Sequence, residues 1–250
     1  MALGLASLLI FAALVTAFIS GIFGLAGGML LMGLLTLVLP VEAAFVTHGI
    51  VQLVANGWRA ILHREFVKLQ ILGWFALATA AAASVMILIG FVPPKALIFT
   101  LMGLLPILLW LPRNWFTPDA SRPSVALSSG FLAGLFNLTA GVSGPLIDTV
   151  FVRTGLNRHQ IVATKGAIQT LNHVAKIGVF GLLLAHGGNG DTGLPPYWFF
   201  MLVIPASMLG TTAGGWVLDR LSDANFKRWT AWIVTVIGVF YLWKAWDLWF

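Results

Sequence analysis

Long apolar stretches alternate with short polar connections along the whole of this 250-residue chain. The apolar segments run 3–39, 43–58, 69–90, 96–111, 124–152, 160–185, 196–218 and 229–249. Residues 69–90 and 196–218 carry no charged side chain. A helix crossing the hydrocarbon core needs about 20 such residues, so the pattern predicts transmembrane helices. Two segments differ. Segment 3–39 is interrupted by GIFGLAGG at 21–28, and segment 124–152 by GLFNLTAGVSG at 134–144. Glycine-rich backbone at membrane depth is tolerated where neighbouring helices or a cavity satisfy its polar groups. These two segments therefore predict broken helices.

The polar connections carry an orientation signal. Arg59, Arg64 and Lys68 lie in 59–68, Arg113 and Arg122 in 112–123, Arg153 and Arg158 in 153–159, and Arg220, Lys227 and Arg228 in 219–228. Residues 186–193 contain no Lys or Arg. Basic loops stay on the cytoplasmic side, which places 59–68, 112–123, 153–159 and 219–228 inside and 186–193 outside. Segment 124–152 then begins and ends on one side, and reads as a re-entrant hairpin rather than a kinked span. Segment 3–39 reads the same way from the opposite side, although residues 3–20 are long enough to cross alone.

The expected architecture is an all-α polytopic membrane protein of two inverted repeats. Repeat 1 (1–115) holds the broken hairpin 3–39 and helices 43–58, 69–90 and 96–111. Repeat 2 (124–250) holds the broken hairpin 124–152 and helices 160–185, 196–218 and 229–249. An odd number of crossings per repeat inverts the second copy, as in many secondary transporters.

Composition agrees with this picture. The chain is 59% hydrophobic and 9% charged, with a mean hydropathy of +0.96, against about 25% charged in soluble domains. The net charge is +6, but most basic residues sit in short loops, so nucleic-acid binding is not expected. Cysteine is absent, which removes disulfides and thiolate metal sites. The N-terminus lacks the basic region of a cleaved signal. Tryptophans near the predicted ends, among them Trp58, Trp110, Trp115, Trp198 and Trp229, read as an interfacial belt.

The chemistry lies in a polar stripe that occurs twice. Residues 47–59 (THGIVQLVANGWR) align with 164–176 (TKGAIQTLNHVAK) at a shift of 117. On a helix, His48, Gln52, Asn56 and Arg59 share one face. So do Lys165, Gln169, His173 and Lys176, with Asn172 beside them. A charge near the bilayer centre costs at least about 2.5–3.5 kcal/mol, so Lys165 and Lys176 call for a cavity or an anionic partner. Acids are few: eight in the chain, of which Glu42 and Asp148 lie nearest the apolar segments. That imbalance points to an anionic ligand. Snorkelling of Arg59 and Lys176 to an interface is the alternative.

The glycine breaks supply the other half of a site. Gly24, Gly27 and Gly28, then Gly141 and Gly144, allow close backbone approach. A break also frees N–H groups at the start of the next half-helix, where they attract anions. Pro145 suits a first helical turn. Asn137, Thr139 and Ser143 add neutral hydrogen bonds. Tight packing through small residues is the competing explanation.

GIFGLAGGMLL followed by a helix with TxGxxQ, duplicated as GLFNLTAGVSGPL and ATKGAIQTLNHVAK, resembles the TauE/SafE family of sulfite and organosulfonate exporters. The resemblance covers nearly the whole chain and maps the family's glycine-rich segments onto Gly21–Gly28 and Gly134–Gly144. Asn137 stands opposite Gly24, and Ala140 opposite Gly27. The resemblance implies a multi-pass permease of the bacterial inner membrane that exports small sulfur-containing anions.

The function expected is secondary transport of sulfite or an organosulfonate. Its binding residues are Gln52, Gln169, Lys165, His48, Asn56, His173, Gly27, Gly28, Gly141, Ser143, Gly144 and Asn137. Lys176, Arg59 and Asp148 carry charge or coupling, and a proton is the candidate coupling ion, on His48 or Asp148. Partners are the anion and the bilayer, and a homodimer is allowed. No cofactor is expected. The chain has no Walker A sequence, and its five histidines are too dispersed to suggest a metal site. A passive anion channel is the first alternative. A lipid-phosphate hydrolase is the second, weakened because the stripes hold no acid to serve as base or nucleophile.

Overall fold

The computed structural model describes residues 2–23, 25–110, 118–151, 154–186, 192–218, 220 and 223–250. Among these residues all regular structure is helical. The first broken segment forms α1 (Leu3–Phe23) and α2 (Leu25–Val38), with Gly24 outside the described residues. Helices α3 (Val41–Leu62) and α4 (Leu69–Ile89) follow, separated by a short 3-10 turn at Arg64–Phe66. Gly90, at φ 57°, ends α4 in the left-handed conformation that favours glycine. Next come α5 (Lys95–Leu104) and α6 (Ile107–Trp110). The second broken segment gives α7 (Pro123–Thr139) and α8 (Gly144–Phe151). The chain finishes with α9 (Arg158–His186), α10 (Tyr197–Leu218) and α11 (Asp223–Trp249).

Five helices among the described residues are long and apolar enough to cross a membrane: Leu3–Phe23, Leu69–Ile89, His159–His186, Tyr197–Val217 and Trp229–Trp249. Helix α3 has 22 residues and so the length of a span, roughly 33 Å at 1.5 Å per residue; its polar stripe keeps its hydropathy low.

At 21 residues, α1 alone is about 31 Å long, so the first arm of segment 3–39 is a candidate span, the alternative that its length left open. Two expectations change. Segment 96–111 is two helices rather than one, because Pro106 removes a backbone donor and clashes with the preceding turn. The basic loop placed at 219–228 is helical from Asp223 onward. The side chains of Arg158, Lys227 and Arg228, and Arg113, Trp115 and Arg153 altogether, lie outside the described residues.

The packing partners correspond between the two halves of the chain. Helix α1 packs along α10, as α7 packs along α4; α3 lies against α9 and α5 against α11. Small residues bring these pairs close, as expected where lipid supplies no hydrophobic drive between helices. A Cβ added at Gly21 would stand 2.8 Å from the Gly214 Cα, and one at Gly130 2.9 Å from the Ala78 Cβ. Phe45, Phe99, Phe180 and Tyr241 belong to the largest buried cluster. The outer surface carries exposed Leu88, Leu209, Trp216 and Val236, as a lipid-facing surface requires. Trp110, Trp229, Trp232 and Trp249 are also exposed.

Candidate functional site

The two stripes face each other across one helix crossing. On α3, Gly49 lies against Ile177 and the His173 carbonyl; Gly57 lies against Thr170; Ala60 and the Asn56 carbonyl lie against Gly166. Residue numbers rise on one helix as they fall on the other, so α3 and α9 run antiparallel. The glycine repeated in both stripes packs against the facing helix in each copy. A Cβ at Gly49 would come within 2.7 Å of Ile177 Cγ1, and one at Gly166 within 3.3 Å of the Asn56 carbonyl oxygen.

Beside this crossing lies a small polar cavity of about 20 Å³, room for roughly one water molecule. Ser20 of α1, Gly28 and Met29 of α2, and His48, Gln52 and Asn56 of α3 form one wall. Val142, Ser143, Gly144 and Pro145 at the start of α8, with Gln169 and His173 of α9, form the other. The first turns of both short helices therefore border the cavity, with their positive dipole ends. Gly141 adopts φ 79°, which lets the chain turn from α7 into α8; side chains are strained there.

A chain of hydrogen bonds ties the two breaks together. Lys176 is fully buried. Its ammonium donates to the Gly141 carbonyl at 2.6 Å and stands 2.9 Å from His48 Nδ1. His48 Nε2 stands 2.9 Å from the Gly28 carbonyl. A carbonyl only accepts, so Nε2 carries hydrogen, and Nδ1 accepts from Lys176. The result is one continuous path from Gly141 through Lys176 and His48 to Gly28. Lys176 also lies 5.6 Å from the Phe45 ring centroid, a cation–π contact. It makes no ion pair among the described residues.

Other donors reach backbone carbonyls nearby. Arg59 donates to the Ser20 carbonyl at 3.1 Å, so its guanidinium is tied to the end of α1 rather than reaching for an interface. Tyr241 donates to the Met29 carbonyl at 2.7 Å. Around the second break, Asn172 accepts from Thr79 at 2.8 Å and donates to Ser143 at 3.3 Å, while Asn137 donates to the Asn172 carbonyl at 2.7 Å. Asn56 donates to both the carbonyl and the side-chain oxygen of Gln52. That leaves Gln52 Nε2 buried without a partner, as is His173 Nδ1. Buried polar groups are nearly always bonded, so two unsatisfied atoms on residues lining one cavity mark a place for a polar ligand.

The expected site residues divide accordingly. His48, Gln52, Asn56, Gln169, His173, Gly28, Ser143 and Gly144 line the cavity, and Gly141 and Lys176 hold its back. Asn137 is buried behind it, on the Asn172 scaffold. Thr139 bonds back into its own helix at Leu135. Gly27 faces α1, where a Cβ would collide with the Thr16 carbonyl. Lys165 pairs with Asp148 of α8, both side chains partly exposed, and is not among the residues lining the cavity. Its charge is therefore compensated within the protein, whereas the Lys176 amine is fully buried with no ion pair among the described residues. Asp148 also lies within electrostatic reach of Arg59. The stripes gave no sign of Ser20, Met29 or Tyr241. Ser20 and Tyr241 have polar groups on otherwise apolar helix faces, the one signal that marked them.

A family model described as sulfite exporter TauE/SafE matches residues 9–241 of the chain. No curated protein and no solved structure matches it.

Proposed function

Because the chain belongs to the TauE/SafE sulfite exporter family, we propose that it is a secondary transporter exporting sulfite or an organosulfonate across the cytoplasmic membrane of a bacterium. The anion binds in the cavity between the two helix breaks. The first turns of α2 and α8 offer N–H groups to its oxygens, and Gln52, Gln169 and His173 add side-chain hydrogen bonds. Lys176, one imidazole ring behind the cavity wall, supplies the compensating charge. The observation that carries this reading is the cavity wall itself, which holds the unpartnered amide donor of Gln52 and the His48 ring bonded to the fully buried Lys176 amine.

The two halves of the chain work as inverted repeats about a pseudo-two-fold axis through the α3–α9 crossing. The matching packing partners of the halves and the antiparallel crossing support this. A cavity of about 20 Å³ is too small for a sulfonate, which fits a closed state of an alternating-access cycle better than an open channel.

Flux in proteoliposomes tests the reading. Reconstituted protein carries sulfite or methanesulfonate, and Gln52→Leu lowers the flux at least tenfold while the protein stays monodisperse. If no sulfur oxyanion is carried by well-folded protein, or if Gln52→Leu carries it as fast as the parent chain, the site is wrong.

A further inference from the structure

The bond path between the two breaks leads beyond the anion to a second ligand, and this step rests on the transport reading above. His48 has one hydrogen on its ring and has committed it to the Gly28 carbonyl. Its other nitrogen is occupied as acceptor for Lys176. It lines the cavity yet has nothing to offer an anion as it stands. His173, whose ring centroid lies 5.6 Å away, differs. Its Nδ1 is unpartnered, so it can present a hydrogen to an anion by choosing its tautomer, with no change in proton count.

We propose that His48 is a proton-binding site linked to the anion, taking up one proton as the anion enters the cavity and giving it back as the anion leaves. The proton comes from solvent, and a new N–H bond forms at His48 Nδ1. Lys176 keeps its three hydrogens and loses one acceptor. The imidazolium now has two donors, so Nδ1–H faces N–H and the bond between the two side chains breaks. Two consequences follow together. The ammonium is freed to turn toward the anion, and the path that joined Gly141 to Gly28 is cut. The two half-sites are thus linked when the cavity is empty and unlinked when it is loaded. The anion is what allows a second positive charge here. The groups facing His48 are the Gly28 backbone on α2, His173 and Lys176 on α9, and Gln52 on its own helix. Arg59 lies three turns away on the Ser20 carbonyl, and Asp148 is taken by Lys165.

Methanesulfonate separates the two claims, since it stays a monoanion across the neutral range and any proton taken up must reside on the protein. The purified full chain is titrated with it in weakly buffered detergent solution containing a pH dye, and bound anion is counted in parallel. The expected result is about one proton taken up per bound anion. The same ratio falls to near zero in His48→Gln, whose amide can make both bonds without titrating, and is kept in His186→Gln, at an exposed histidine on the last turn of α9. Selective 15N-histidine spectra of the unmodified chain report the imidazolium directly, so the assignment does not depend on a variant that folds. Binding without proton uptake overturns the proposal, and so does uptake that survives in His48→Gln. Absence of binding by methanesulfonate and sulfite alike refutes the transport reading, and the proton site falls with it.

Discussion

Replacing Lys176 with methionine separates its charge from its bulk. In the empty protein three effects oppose one another. The variant loses hydrogen bonds to the Gly141 carbonyl and His48 Nδ1, each worth about 1.5–3 kcal/mol when the donor is charged. It leaves both acceptors without that donor, at about 1–3 kcal/mol each if nothing replaces it. Against this, a fully buried cation without an ion pair no longer has to be desolvated, and that penalty is several kcal/mol. The losses outweigh that relief, so thermal stability without ligand falls. Anion binding has no such offset. With the ion about 6 Å from the ammonium and an effective dielectric constant near 20, the lost attraction is roughly 3 kcal/mol, or on the order of 100-fold in Kd. Lys165→Met is the control. Its partner Asp148 is 31% exposed and Lys165 itself 26%, and such pairs contribute about 0–1 kcal/mol. Isothermal titration with sulfite and methanesulfonate, alongside ligand-free melting curves, measures both quantities. The reasoning is refuted if Lys165→Met weakens binding as much as Lys176→Met does, because the charge serving the anion would then be the paired lysine.

Two further predictions concern the first break. Gly27→Ala would drive a Cβ onto the Thr16 carbonyl and within 2.6 Å of the Ser20 nitrogen; because backbone cannot step aside, the α1–α2 pair must separate and folded protein should drop several-fold in fluorescence-detected size exclusion. Gly28→Ala meets only Gln52, at 3.6 Å, so the protein should accumulate normally, while the added methyl intrudes on the cavity and lowers anion flux at least tenfold; equal accumulation of the two variants would contradict this placement. Tyr241→Phe removes the 2.7 Å bond to the Met29 carbonyl and should cost about 1–2 kcal/mol, read as a fall of a few degrees in Tm with flux per folded molecule unchanged.

The elements were legible wherever length and apolarity decide. Segments 69–90, 160–185, 196–218 and 229–249 appear as helices within a few residues at most boundaries, the largest exception being the early start of α11 at Asp223. The split at Leu105 and Pro106 was missed because the apolar run continues through it, and hydropathy is blind to a missing N–H. Gly27 and Gly28 adjoin in sequence but serve different ends, one packing against α1 and the other lining the cavity. No periodicity separates them without knowing which side α1 takes.

The stripe teaches the same lesson about partners. Aligned at a shift of 117, His48 matches Lys165 and Arg59 matches Lys176, which invites reading each pair as equivalent contributors. Antiparallel packing instead brings the first member of one stripe to the last of the other. His48 therefore meets Lys176, and the same rule sends Arg59 toward the end of α9 that holds Lys165. Residues nearer the middle, Gln52 with Gln169 and Asn56 with His173, keep company with their own equivalents at the cavity. Each end of the crossing thus has basic side chains from the stripes, but Asp148 serves only the end with Lys165. The other end keeps a charge that the protein leaves uncompensated, and there an anion gains most by entering.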